Sequence, residues 1–187
     1  MSWHHTIVAG VCGGMMSMAA LAQDARPQYQ TIQTISTPPN PFVSQIFVAP
    51  DKERQDAMLG GQVVSTIIRH DQGVAWLLIP SKKMYQVIDI QAVESASVQA
   101  LWQDQPKTWI GTAVLDGVTT TQYALNTSDG QVFVWVADDI VVKAEWPASA
   151  ALGRPHTTMV LQQIQQGVQD PQRFELPADY TPYRVPD

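Results

Sequence analysis

Cysteine is all but missing from this chain: Cys12 is the only one, and it lies close to the start. Everything beyond it is therefore without disulfides, thiol nucleophiles and cysteine-ligated metals. Basic residues are also short, 11 Lys and Arg against 17 Asp and Glu, for a net charge of −6. Nucleic-acid binders concentrate basic charge on one face, and docking on anionic lipid needs a polybasic cluster, so neither partner is expected. Histidine is scarce too. Beyond His4 and His5 there are only His70 and His156, with no HExxH or paired-histidine spacing to hold zinc. No serine sits in a G-x-S-x-G frame. Gly60-Gly61 lacks the lysine and following helix of a phosphate loop. His70-Asp71 reads as a solvated turn, and Asp138-Asp139 as turn residues that tolerate positive φ. The expectation is a protein without enzymatic activity, with no cofactor, no metal and no catalytic residues.

A long hydrophobic run is lacking as well. The most apolar stretch, Thr6 to Met18, is interrupted by Gly10, Gly13 and Gly14 and falls short of the about 20 residues a membrane-spanning helix needs. It is followed by Ala20-Leu21-Ala22, small residues at the positions a signal peptidase reads. Residues 1–22 are thus expected to be a signal peptide cleaved before Gln23. Residues 23–187 are expected to form a single domain in the periplasm, not an integral membrane protein. Val11, ahead of Cys12, is not the small residue a lipoprotein signal requires.

What the rest contains is β-strand pattern. Tyr29 to Ser36 alternates and is rich in β-branched residues, and prolines 38, 39 and 41 break it. Strands are predicted over Phe42–Ala49, Glu53–Met58, Gln62–His70, Val74–Ile79 and Lys82–Ile90. Turn residues at Gly60-Gly61 and Gly73 punctuate them. A second series runs Lys107–Leu115, Val118–Asn126, Gln131–Val136 and Ile140–Trp146, with hairpin turns at Asp116-Gly117, Asp129-Gly130 and Asp138-Asp139. His156–Gln166 reads as strand or helix. Gln91–Gln103 carries Ala92, Val93, Ala96, Ala100 and Leu101 at helical spacing and is the one helix expected. The tail holds Pro171, Pro177, Pro182 and Pro186 and is expected to lie along the sheet as irregular chain. The fold class is mainly β: a strongly curved antiparallel sheet, an incomplete or half barrel, with one short helix.

Two strands are apolar on both faces. Alternation places Val74, Trp76 and Leu78 opposite Ala75, Leu77 and Ile79, and Phe133 and Trp135 opposite Val132, Val134 and Val136. Such strands need cover on both sides. Either the helix and tail supply it and both faces are core, or one face lines an apolar cavity for a lipidic ligand.

The segment Arg54-x-Asp56, Val63 to Ile68, then Arg69-His70-Asp71-x-Gly73-x-x-Trp76-x-Leu78-x-Pro80-x-x-Lys83-x-Tyr85 resembles exported bacterial proteins of the LolA/LolB-like group and the DUF4412-type domain. Trp109-Ile110-Gly111 through Leu115-Asp116-Gly117 and Tyr123 is similar to a further segment of these families, with Ala113 where an acidic residue is common. Phe174-x-x-Pro177-x-x-Tyr180 resembles their ending, with Asp179 in place of a glycine. The resemblance implies a half-barrel with a helical lid and an apolar interior, which in the sorting proteins carries lipoprotein acyl chains. Arg54 falls near an arginine linked there to lid closure. The expected ligand is a lipid or an acylated protein, bound by Trp76, Leu78, Trp109, Phe133, Trp135 and Arg54. The alternative is a periplasmic interaction, assembly or sensor module with a filled core and a protein partner.

Overall fold

The computed structural model describes residues 27–183 except Asp129, without the side chains of Glu94, Ser95 and Ala96. The expected signal peptide and Pro186 lie outside the described residues.

The chain runs β1 (Tyr29–Thr37), β2 (Asn40–Ala49), β3 (Lys52–Leu59), β4 (Gln62–Arg69), β5 (Val74–Ile79), β6 (Met84–Ile88), α1 (Ile90–Ala96), α2 (Val98–Asp104), β7 (Lys107–Leu115), β8 (Val118–Thr127), β9 (Gly130–Ala137), β10 (Ile140–Trp146), β11 (Thr157–Gln166) and β12 (Thr181–Pro182). All twelve strands belong to one sheet, in the order β12-β6-β5-β4-β3-β2-β1-β11-β10-β9-β8-β7. The sheet is two meanders, β1 to β6 and β7 to β11. They are joined where β11 pairs antiparallel with β1, Ile35 opposite Met159. β12 alone runs parallel to its neighbour, β6. The hairpin turns follow from residues that accept positive φ: Gly60 and Gly61 at 58° and 77°, Asp116 and Gly117 at 49° and 83°, Asp138 and Asp139 at 48° and 60°. Two successive positive φ values match the twist of the flanking strands.

Two corrections to the sequence reading have local causes. The single expected helix is two helices of seven residues each. The break is Ser97, which adopts an extended conformation and caps α2 by accepting a hydrogen bond from Ala100 N at 3.4 Å. The proline run interrupts the ladder only at Pro38 and Pro39, since Thr37 pairs with Asn40 and Pro41 with Ser36. The ambiguous segment after His156 is strand β11, and the tail contributes β12 and a short 3-10 turn, Pro171–Phe174.

Each face of the sheet has its own cover. On the inner face, Leu125, Val132, Val134, Val141, Ala144 and Met159 form a buried cluster, and Val98, Leu101 and Trp102 of α2 pack on it. On the outer face, Phe47, Ala49, Ile67 and Leu78 enclose Phe174 of the tail, with Leu176 and Tyr180 alongside. The sheet is strongly curved. Glu53 on β3 and Val132 on β9 line one cavity, although five strand spacings separate their strands, about 24 Å in a flat sheet.

Candidate functional site

The curvature leaves a cavity of about 550 Å³ between the helices and the inner face. Its lining mixes polar and apolar groups in nearly equal measure. Lys52, Glu53 and His70 contribute from the β3–β4 side, Gln99 and Gln103 from α2, and Arg154 from the loop before β11. A second pocket, about 250 Å³, lies beside it and is mainly apolar, lined by Ile35, Phe42, Ile46, Val98, Val141 and Leu161 among others. Both spaces share Tyr29, Glu53, Ser97, Gln99 and Trp146. The pair is therefore amphipathic: a chamber of mixed lining beside a more apolar slot.

Strand alternation sets this lining. Glu53 and Gln55 of β3 face inward beside Val48 and Ile46 of β2 and Ile68 and Thr66 of β4. Gln55 Nε2 donates to Ser44 Oγ at 3.0 Å and to Gln33 Oε1 at 3.4 Å, a short polar seam across three strands. The helices are tied to the far half of the sheet. Gln99 Nε2 donates to Asp139 O at 3.1 Å, and Gln99 Oε1 accepts from Val141 N at 3.3 Å. Farther along α2, the Trp102 ring lies 5.0 Å from that of Tyr123, and the Lys107 ammonium stacks on its face at 4.5 Å.

Burial raises the Glu53 carboxyl above its usual range, and the nearby positive character of His70 partly opposes that. Tyr29 is raised as well, by burial first and by Glu53 second. Glu53 thus holds its proton to higher pH in the folded chain than in the unfolded one. Its contribution is complete below the ordinary carboxylate value and is lost as pH rises through the raised value. Glu53→Gln mimics the protonated form. The variant should match the parent's melting temperature near pH 4 and exceed it at neutral pH. A parent that is the more stable of the two at pH 7 would contradict this account, and thermal scans across pH decide it.

The six residues picked from sequence are not gathered in this cavity. Trp76 and Leu78 face outward, in the cluster beneath the tail. Phe133 and Trp135 also face outward, opposite Glu145 and Lys143, and the Lys143 ammonium covers the Trp135 ring at 4.3 Å. Trp109 is on the inner face, paired with Tyr123, but at the sheet edge and 64% exposed. Arg54 faces outward, away from the helices. It pairs with Asp56 at 2.8 Å and donates to Arg173 O of the tail at 3.1 Å. Sequence reasoning did not single out Glu53, Tyr29 or Gln99. Their only signal is polar character, or an aromatic hydroxyl, on strand and helix positions that alternate onto the inner side.

Among the described residues, no group of three or more His, Cys, Asp or Glu could hold a metal ion. None of their helices is long and apolar enough to cross a membrane.

Residues 32–151 match the family of domains of unknown function DUF4412, and the chain belongs to that family. This bears out the resemblance seen in the sequence. No curated protein matches. Among solved structures, an uncharacterized conserved protein from Thermus thermophilus superposes with a TM-score of 0.62 at 9% identity, covering 86% of this chain and 91% of that one. A chain of the Pseudomonas aeruginosa MucA/MucB complex gives 0.54 at 13% identity, covering 83% of this chain and 58% of that one. These likenesses are of fold.

Proposed function

We propose that this chain is a non-enzymatic binding domain of the periplasm. In this reading it holds an amphiphile, a lipid or a lipoprotein's acyl chain, between α1–α2 and the inner face of the half-barrel. One observation carries the proposal: a chamber of about 550 Å³, lined by charged and polar groups together with apolar ones, shares wall residues with a more apolar slot of about 250 Å³. A buried acyl chain gains about 0.8 kcal/mol per methylene, so the slot supplies affinity with few polar contacts. Lys52, His70 and Arg154 place cationic or cation-forming groups where an anionic head would sit. The wall residues of this reading are Ile35, Phe42, Val98, Val141 and Leu161.

The test is native mass spectrometry with lipid extraction on gently purified protein. Leu161→Trp narrows the slot; denying a chain its last two methylenes should lower lipid occupancy about tenfold, with only a modest stability loss from overpacking. Trp76→Ala is the control on the opposite face, and should lower the melting temperature while leaving occupancy unchanged. Unchanged occupancy in Leu161→Trp, or no lipid bound by the parent chain, would overturn the proposal.

A second reading, an interaction module with a protein partner, is favoured by a different observation. The outer edge of β7 pairs with no other strand among the described residues. The structural neighbour from Pseudomonas aeruginosa is itself part of a protein complex.

A further inference from the structure

The two ends of the sheet are treated differently. At one end the tail returns to lay β12 along β6, with Thr181 N donating to Lys83 O and Tyr183 N to Tyr85 O. That edge is covered by a two-residue strand that includes Pro182, which has no N–H to donate to a further strand. At the other end stands β7, nine residues long and, among the described residues, paired only with β8. Its apolar side chains are exposed: Trp109 by 64%, Ile110 by 42% and Val114 by 68%. A long edge strand with exposed apolar residues is a template for another strand unless charge, proline or distortion blunts it. Here Lys107 and one register shift between Trp109 and Gly111 are the only such devices.

The strand is also self-complementary. It begins at Lys107, and Asp116 follows its end. Pairing with Tyr123 and Thr121, both inward residues of β8, puts Trp109 and Thr112 on the inner face, and Val114 shares the side of Thr112. When two copies of β7 meet antiparallel about a two-fold axis, inward residues must oppose inward residues for the sheets to continue into each other. The register that sets Trp109 against Val114 of the second copy meets this condition. The same register sets Lys107 against Asp116, and symmetry produces each pair twice. Apolar cross-strand pairs and opposite charges facing each other are the contacts that stabilise a ladder. We propose that the β7 edge pairs with the β7 edge of a second copy, in this antiparallel register, to make a two-fold dimer with a continuous sheet.

Lys107→Glu and Asp116→Lys test the register. Each variant alone places like charges opposite each other at both symmetric positions. Mixed one to one, they restore opposite charges at both. Sedimentation equilibrium of the full-length expressed chain over a concentration series should show a dimer for the parent. Each single variant should dissociate about tenfold or more weaker, and the mixture should form a heterodimer of near-parental affinity. Circular dichroism confirms that each variant is folded, and Val114→Lys, which opposes Trp109 with a charge, should be monomeric with its inner-face cavity intact. A parent that is monomeric at every concentration would overturn the proposal. So would a dimer indifferent to all three substitutions, or a mixture no tighter than the single variants. The result does not depend on whether the cavity holds lipid, since Lys107, Val114 and Asp116 line neither space.

Discussion

Phe174→Ala should destabilise the protein by about 3 to 5 kcal/mol, the range for truncating a fully buried phenylalanine. For a chain of this size that lowers the melting temperature by roughly 6 to 20 °C. The reason lies in how the outer face is built. Phe174 is 0% exposed and sits among Phe47 and Ala49 of β2, Ile67 of β4 and Leu78 of β5. The 3-10 turn of Pro171–Phe174 sets it there, capped by Asp170, whose Oδ1 accepts from Gln172 N at 3.0 Å. The guanidinium of Arg173 stacks on Phe47 at 4.4 Å. Truncation leaves a cavity that strands locked in a ladder cannot close. Differential scanning calorimetry reads the loss. A shift of only a degree or two would mean that the tail rests on the sheet without contributing to its core.

The second large effect concerns Arg69. It is 5% exposed and acts as a clamp. Its Nε and Nη2 hold both oxygens of Asp71 at 2.8 Å, while Nη1 reaches Glu175 Oε1 at 2.7 Å and Phe174 O at 3.4 Å. Two-point binding of a carboxylate by a planar guanidinium is the strong form of this contact. Arg69→Leu should cost about 2 to 3 kcal/mol, since these are charge-assisted bonds whose carboxylate partners keep solvent exposure. Arg69→Lys should recover little of it, because an ammonium cannot bind Asp71 through two nitrogens. The clamp also sets an acid limit. Arg69 holds the Asp71 carboxyl below its usual range, so the stabilisation is present above the ordinary carboxylate value. It is lost as pH falls through the lowered one. Urea titrations at neutral and acid pH should show parent and Arg69→Leu converging at the acid end. A difference between them that is constant with pH would refute the clamp.

Most strands were legible because their signals are local. Asp116-Gly117 and Asp138-Asp139 announce hairpins on their own, and Val74–Ile79, Lys107–Leu115 and Ile140–Trp146 begin and end where the pattern changes. The break at Ser97 had a signal, a good capping residue in a short helix, but helical spacing on both sides of it masked the interruption. The pairing of β11 with β1 had none, because register between distant strands is written in no local residue. The candidate chamber was the least legible part. Trp76, Leu78, Phe133 and Trp135 do lie on strands apolar on both faces, yet alternation does not say which face encloses a cavity. The tail, which claims the outer face beneath Phe174, decides that for Trp76 and Leu78. The chamber around Glu53 is not legible because its members are scattered over β1, β3, the β4–β5 turn, α2 and the loop before β11, and each reads alone as an ordinary strand, helix or turn residue.

The return of the tail also sets an order of events for folding. The meander of β1 to β6 can form from contacts close in sequence, but its outer face waits for Phe174 and Glu175, the latter 106 positions beyond its partner Arg69. Likewise Thr31 meets Gln162 O across 131 positions. Contacts this distant are slow to form. A chain that emerges N-terminus first therefore exposes Phe47, Ile67 and Leu78 until Phe174, Leu176 and Tyr180 arrive. During that interval it is a client for whatever shields apolar surface in its compartment.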